Sequence, residues 1–167
     1  MFIIFEGCDL VGKTSIAKEL EKQSDFKYFK YLDLKKKFKD DWMKYVDVVA
    51  ETEYNALKQF QDSNMILDRS FISSIIYEKL YQREYNTDYI NFNDFKNAMI
   101  IYVYLDDDKL MNRINERTED EIILKRILDL NNEYKKFFDT FKGIVLKLDG
   151  SKPILENVKQ IQFALYY

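Results

Sequence analysis

Five short apolar runs punctuate this sequence, and between them apolar residues return every three or four positions, as they do along one face of a helix. Phe2-Ile3-Ile4-Phe5 has no polar interruption, which predicts a strand buried on both faces, and a helix opens at Ser15. Residues 26–33 alternate aromatic with polar side chains and predict a second strand ending in Asp33. From Trp42 to Phe60, Val46, Val49, Ala50, Tyr54, Leu57 and Phe60 mark one helix face, which Gln61-Asp62-Ser63-Asn64 closes. Met65-Ile66-Leu67 is a third strand delivering Asp68-Arg69-Ser70, and a helix over 71–82 follows with Ile72, Ile75, Ile76 and Leu80 on one side. The polar, Tyr-rich stretch 84–93 reads as a loop into a short helix around 94–98. Residues 99–105 form the longest apolar run and a fourth strand, ending in Asp106-Asp107-Asp108. A helix over 109–117 meets a charged interruption at 116–121, and a long helix then runs from Ile122 to about Phe141, where Gly143 stops it. Ile144–Leu148 is the fifth strand, Asp149-Gly150-Ser151 a turn, and Pro153 opens a last helix to Tyr167.

Strand–helix alternation without repeats or low-complexity linkers predicts an α/β fold, a single domain over 1–167 with a parallel sheet covered on both faces. The loop after the first strand, Gly7-Cys8-Asp9-Leu10-Val11-Gly12-Lys13-Thr14, spells GxxxxGKT. Its glycines let successive backbone N–H groups turn toward phosphate oxygens, Lys13 adds a point charge, and the Thr14 hydroxyl suits Mg²⁺. The helix opening at Ser15 aims its N-terminal dipole at the same anion. The strand before and the helix after favour nucleoside polyphosphate binding over a chance match. In a kinase-like sheet with this loop after a central first strand, the strand order is 2-3-1-4-5.

Composition narrows the chemistry. The chain has 167 residues, a net charge of −3 and no His, so histidine catalysis and histidine metal sites are excluded. The one cysteine, Cys8, has no internal partner, which fits a reducing cytoplasm. No apolar run approaches the roughly 20 residues a membrane helix needs, and Met1 leads straight into the first strand, leaving no room for a signal peptide. The acidic balance argues against general nucleic-acid binding. Only five of the 26 basic residues are Arg, at 69, 83, 113, 117 and 126. The lysines at 35, 36, 37 and 39 read as a solvated cluster. Asp68 and Arg69 stand at the sheet edge where ligands bind in parallel sheets. Arg113 and Arg117, four apart, run into the charged segment and suit a lid over about 113–122. Surface pairing with Glu116, Glu121 or Asp106 would explain them equally well.

Together these motifs resemble the thymidylate kinase family of P-loop nucleoside and deoxynucleoside monophosphate kinases. The opening Phe5-Glu6-Gly7-x-Asp9-x-x-Gly12-Lys13-Thr14 is similar to the family's FEGxDxxGKT. Asp68-Arg69-Ser70-Phe71-Ile72-Ser73-Ser74-x-x-Tyr77 resembles its DRYxxSSxAYQ, Tyr104-Leu105-Asp106 with Arg113 and Arg117 its lid entry, and Leu148-Asp149-Gly150-Ser151-x-Pro153 its C-terminal DGSxP. The resemblance implies phosphorylation of a deoxynucleoside monophosphate, dTMP first, with ATP and Mg²⁺, in a cytoplasmic homodimer that binds neither nucleic acid nor membranes. It implies that residues 7–15 (Gly7, Cys8, Asp9, Leu10, Val11, Gly12, Lys13, Thr14, Ser15) and Arg113 bind ATP, and that Thr14 and Asp68 attend the metal. Asp9, Arg69, Ser73, Tyr77 and Glu78 would bind the acceptor, with Asp9, Lys13, Arg69 and Arg117 catalytic. The family's R-x-P element on the second strand and a thymine-reading Arg on the next helix are absent, with Lys44 or Lys58 as substitutes for the latter. Position 70 is Ser, as in deoxynucleoside kinases, and Glu78 stands where Gln or Thr is usual. A deoxynucleoside kinase using Asp33 as base, or a non-catalytic nucleotide-binding regulator, are the other readings.

Overall fold

A computed structural model of the chain describes residues 1–30, 42–59, 63–83, 86–95, 97–116 and 121–166. Its centre is β1 (Phe2–Glu6), buried along its whole length as an uninterrupted apolar run requires. With β2 (Lys27–Lys30), β3 (Met65–Asp68), β4 (Ala98–Tyr104) and β5 (Val145–Asp149) it forms one parallel sheet in the order β2-β3-β1-β4-β5. The register sets Phe5 beside Asp68 on one side and Ile101 on the other, so the chemistry-bearing ends of β1 and β3 lie level.

Helices cover both faces. α1 (Lys13–Lys22) packs against α6 (Ile154–Tyr166), while α2 (Trp42–Gln59), α3 (Phe71–Leu80) and α5 (Glu121–Thr140) pack in succession, with α4 (Asp107–Asn115) against α5. The α1 stripe Ile16, Ala17 and Leu20 is buried, as its spacing dictates. Among the described residues no helix is long and apolar enough to cross a membrane.

The element ends differ from the pattern where capping or packing decides. α4 begins at Asp107 because Asp106 is extended at its N-cap and Asp107 and Asp108 sit at the positive end of the helix dipole; the acidic triplet starts a helix rather than ending a strand. The expected short helix at 94–98 is a 3₁₀ turn over Phe92–Phe95 instead. In that tighter winding residues i and i+3 eclipse, and Phe92 and Phe95 both reach the aromatic cluster of Phe71, Tyr54 and Phe2. β4 starts at Ala98, which pairs with Phe2, and α3 ends at Leu80. Asp33, the lysines at 35–39, the side chains of Lys44, Val46 and Val49, Arg117 and most of the expected lid lie outside the described residues.

Candidate active site

The phosphate loop is shaped by positions where a side chain would collide or strain. Gly7 has φ 138°, and a Cβ there would strike the Val103 carbonyl oxygen. Leu10 (φ 68°) and Arg69 (φ 80°) lie in the left-handed region, a costly conformation that concentrates at functional sites. Gly150 is needed for proximity: a Cβ would collide with the Val11 carbonyl, so the Asp149–Ser151 turn rests directly on the loop. Lys13, the first residue of α1, is buried, and its Nζ donates to the Cys8 carbonyl at 2.5 Å. Burial, then the nearby Arg69 charge, lower its pKa to about 8, against the pull of Asp9 and Asp68. Thr14 Oγ1 donates to Asp68 Oδ2 at 2.5 Å, and the Tyr28 hydroxyl donates to the same oxygen at 2.8 Å. A cavity of about 440 Å³ opens over this group, lined by Asp9, Gly12, Lys13, Thr14, Arg113 and Lys152 among others.

Beside it stands a second polar group. Arg69 donates to Asp9 Oδ1 at 2.6 Å and to the Tyr134 hydroxyl at 2.9 Å, with its guanidinium 5.6 Å from the Tyr77 ring centre. Desolvation opposes charge on Asp9, but the Arg69 and Lys13 charges outweigh it and lower its pKa. Behind them Glu6 is fully buried, accepting from Ser70 and Ser73 at 2.7 Å each and from Tyr134 at 3.2 Å. Burial raises its pKa despite those hydrogen bonds and the charges of Arg69 and Lys13.

The structure therefore brings together Asp9, Lys13, Thr14, Asp68, Arg69 and Tyr77. Two residues expected against the acceptor have polar partners within the protein. The Ser73 hydroxyl is turned inward onto Glu6 and Tyr134, because the buried carboxylate needs donors. Glu78 is buried too, 2.9 Å from Arg83 Nε, a pairing that a carboxylate out of water requires. Arg113 donates to the Leu10 and Gly150 carbonyls at 2.8 Å each, tying the phosphate loop to the Gly150 turn. The Cys8 thiol is buried and pushed up to about 12 by that burial, so it is a packing residue of the loop.

The sequence model of the thymidylate kinase family matches residues 42–161, well over half of the chain. The chain belongs to the thymidylate kinase family. It is 30% identical over 146 residues to a protein of Acidianus bottle-shaped virus (isolate Italy/Pozzuoli) provisionally named as a thymidylate kinase, covering 77% of this chain and 88% of that one. It is 26% identical over 164 residues to the thymidylate kinase of Campylobacter jejuni subsp. doylei, covering 85% of each. Its fold is similar to that of YorR protein from Bacillus subtilis, solved with phosphorylated GDP (TM-score 0.76, 20% identity, 99% of this chain and 95% of that one). It is also similar to that of deoxyadenosine kinase from M. mycoides, solved with dCMP and dCDP (TM-score 0.70, 19% identity, 99% and 98%). In reaction class the chain is thus a nucleoside monophosphate kinase.

Within this family member, sequence reasoning passed over Tyr28, Tyr134 and the role of Glu6. Glu6 carried a signal, a charge at the end of a strand buried on both faces. Tyr28 and Tyr134 carried none, since each acts on a partner 40 or more residues away. Glu53 of α2 was also missed: its Oε2 is buried without a hydrogen-bond partner among the described residues, and burial, then the charge of Glu6, hold its pKa well above the carboxylate range.

Proposed function

We propose that the chain transfers the γ-phosphoryl group of ATP to the phosphate of a deoxynucleoside monophosphate, with dTMP as acceptor and Mg²⁺ as cofactor. The observation that carries this reading is the 2.6 Å pair between Asp9 of the phosphate loop and Arg69 at the end of β3. It supports that reading because the guanidinium lies directly beside the phosphate loop, where an acceptor phosphate would meet it. Lys13 and the amides of residues 7–15 hold the ATP phosphates, and Lys13 is mostly protonated near pH 7, as that task requires. Arg69 turns from Asp9 to the acceptor phosphate, which frees Asp9 to accept a hydrogen bond from the 3′-hydroxyl. Tyr77 packs beside the guanidinium at the nucleoside side, Arg113 holds the loop's shape, and the role proposed for Arg117 is to meet the migrating group.

The metal site fits the ion. A hydroxyl and a carboxylate, Thr14 and Asp68, stand 2.5 Å apart, and hard oxygen donors of this kind suit Mg²⁺. Among the described residues no group of three or more His, Cys, Asp or Glu could hold a metal alone, so nucleotide oxygens would supply most of the ligands. When bound, the ion neutralises phosphate charge. Phosphoryl transfer asks the protein chiefly for positioning and charge, which Lys and Arg supply without histidine.

A coupled ATP-consumption assay across the deoxynucleosides and their monophosphates tests the proposal. dTMP is expected to give the highest kcat/KM, with unphosphorylated nucleosides inert. Turnover of thymidine with none of dTMP would overturn it in favour of a 5′-hydroxyl acceptor.

A further inference from the structure

β2 lies at the edge of the sheet, and three of its four residues are exposed; Tyr28 is the exception. An edge strand leaves backbone groups without a strand to pair with, and α1 supplies a partner here. The Tyr28 N–H donates to Glu21 Oε1 at 2.9 Å, and Lys18 Nζ lies 5.7 Å from the centre of the Tyr28 ring. In the register Tyr28 stands beside Ile66 and Lys30 beside Asp68, so Tyr28 shares a sheet face with Ile66 and Asp68. A tyrosine is long enough to span this diagonal, and its hydroxyl donates to Asp68 Oδ2 at 2.8 Å.

That oxygen also accepts from Thr14, at 2.5 Å. Asp68 is buried, so each donor on it counts for more than it would in water. The Thr14 proton is committed to the carboxylate, which leaves the lone pairs of the Thr14 oxygen to a cation. Both donors fall on Oδ2, and neither holds Oδ1. Two converging donors stop the carboxylate from swinging about its Cβ–Cγ bond, where one would leave it free to turn. Packing does not call for the hydroxyl. A bare ring would fill the space beneath Lys18, as the Phe26 ring fills its own place two residues earlier.

We propose that Tyr28 is a positioning residue for the metal: it fixes the Asp68 carboxylate so that Thr14 and Asp68 present their oxygens together to the Mg²⁺ of the bound nucleotide. It acts through Asp68 and touches neither the ion nor a substrate. Groups that orient metal-facing carboxylates in this way set metal affinity alongside the ligands themselves. The inference rests on the Mg²⁺ reading above, and the experiment separates the two.

Mn²⁺, which takes the same oxygen donors as Mg²⁺, is the probe. Its dissociation from the complex of the protein with ADP is measured by electron paramagnetic resonance for wild type, Tyr28→Phe and Tyr28→Gln. Metal-free thermal melts are the folding control, and ADP binding in EDTA and dTMP kinetics are measured alongside. Tyr28→Phe is expected to raise the Kd for Mn²⁺ by about tenfold, leaving the Kd for ADP in EDTA and the KM for dTMP within about twofold. Tyr28→Gln, whose amide is a donor of shorter reach, is expected to lose at least about threefold, and it decides the matter if the phenylalanine variant does not fold. Unchanged Mn²⁺ affinity in the variants of a wild type that does bind the ion, with or without a lower Tm, overturns this inference alone and leaves the hydroxyl a structural role. A wild type that holds Mn²⁺ no tighter than free ADP does overturns it together with the reading it rests on.

Discussion

At the scale of single residues, Lys13 shows how a binding site strains against stability. Its ammonium is enclosed by protein and shares that space with Arg69, so its pKa falls from 10.5 to about 8. A base depressed in the folded state binds fewer protons there than in the unfolded chain between pH 8 and 10.5, so its penalty is complete below pH 8 and fades as pH rises through that window. Lys13→Met should therefore abolish phosphoryl transfer and yet raise stability near pH 7 by roughly 1–3 kcal/mol, with the gain vanishing toward pH 10.5. Urea melts of both proteins at pH 7 and pH 10 check this. A Lys13→Met protein less stable than wild type at pH 7 would show that the bond to the Cys8 carbonyl outweighs the desolvation of the charge.

At the scale of elements, apolar periodicity located the strands and helices because burial on two faces or one stripe is written locally in the chain. The phosphate loop was legible for the same reason: its glycines, lysine and threonine act within eight consecutive positions. What the pattern could not give was the partner of each polar group. The spacing left Arg113 open between a lid residue and half of a surface pair, and the structure shows its guanidinium closing α4 onto two backbone carbonyls 103 and 37 residues away. The resemblance assigns Ser73 and Glu78 to the acceptor, and in the structure their polar atoms are engaged by Glu6 and Arg83. Position in a motif does not fix where a side chain points when a buried charge nearby needs a partner. The Arg113 contact has a measurable consequence. Arg113→Ala leaves the Leu10 and Gly150 carbonyls without this donor and loosens the loop proposed to hold the donor nucleotide. The KM for ATP is expected to rise about tenfold while that for the acceptor changes less than threefold, measured by varying each substrate at saturating levels of the other. A larger effect on the acceptor would place the consequence of this contact on the wrong side of the site.

At the scale of the whole molecule, one hydroxyl ties together polar groups far apart in the sequence. Tyr134, fully buried on α5, lies 3.2 Å from Glu6 at the end of β1, 2.7 Å from Ser73 on α3, and accepts from Arg69 at 2.9 Å. Its ring stacks with Tyr102 of β4 and with Phe138 one turn along α5, so the side chain is held by its apolar body while the oxygen alone serves the polar network. Tyr134→Phe keeps that body and deletes only the oxygen. The Glu6 carboxylate then loses one of its three donors in a place water does not reach, which should lower stability by about 1–3 kcal/mol. For a domain of this size that is a fall in Tm of several degrees, on the order of 2–4 °C per kcal/mol. Arg69 loses an orienting contact at the same time, so the acceptor KM should rise severalfold with the KM for ATP nearly constant. Calorimetry and steady-state kinetics on the same preparation read both effects. A drop in Tm with unchanged acceptor KM would mean that Asp9 alone sets the aim of Arg69, and that the network from β1 to α5 serves the fold without reaching the site.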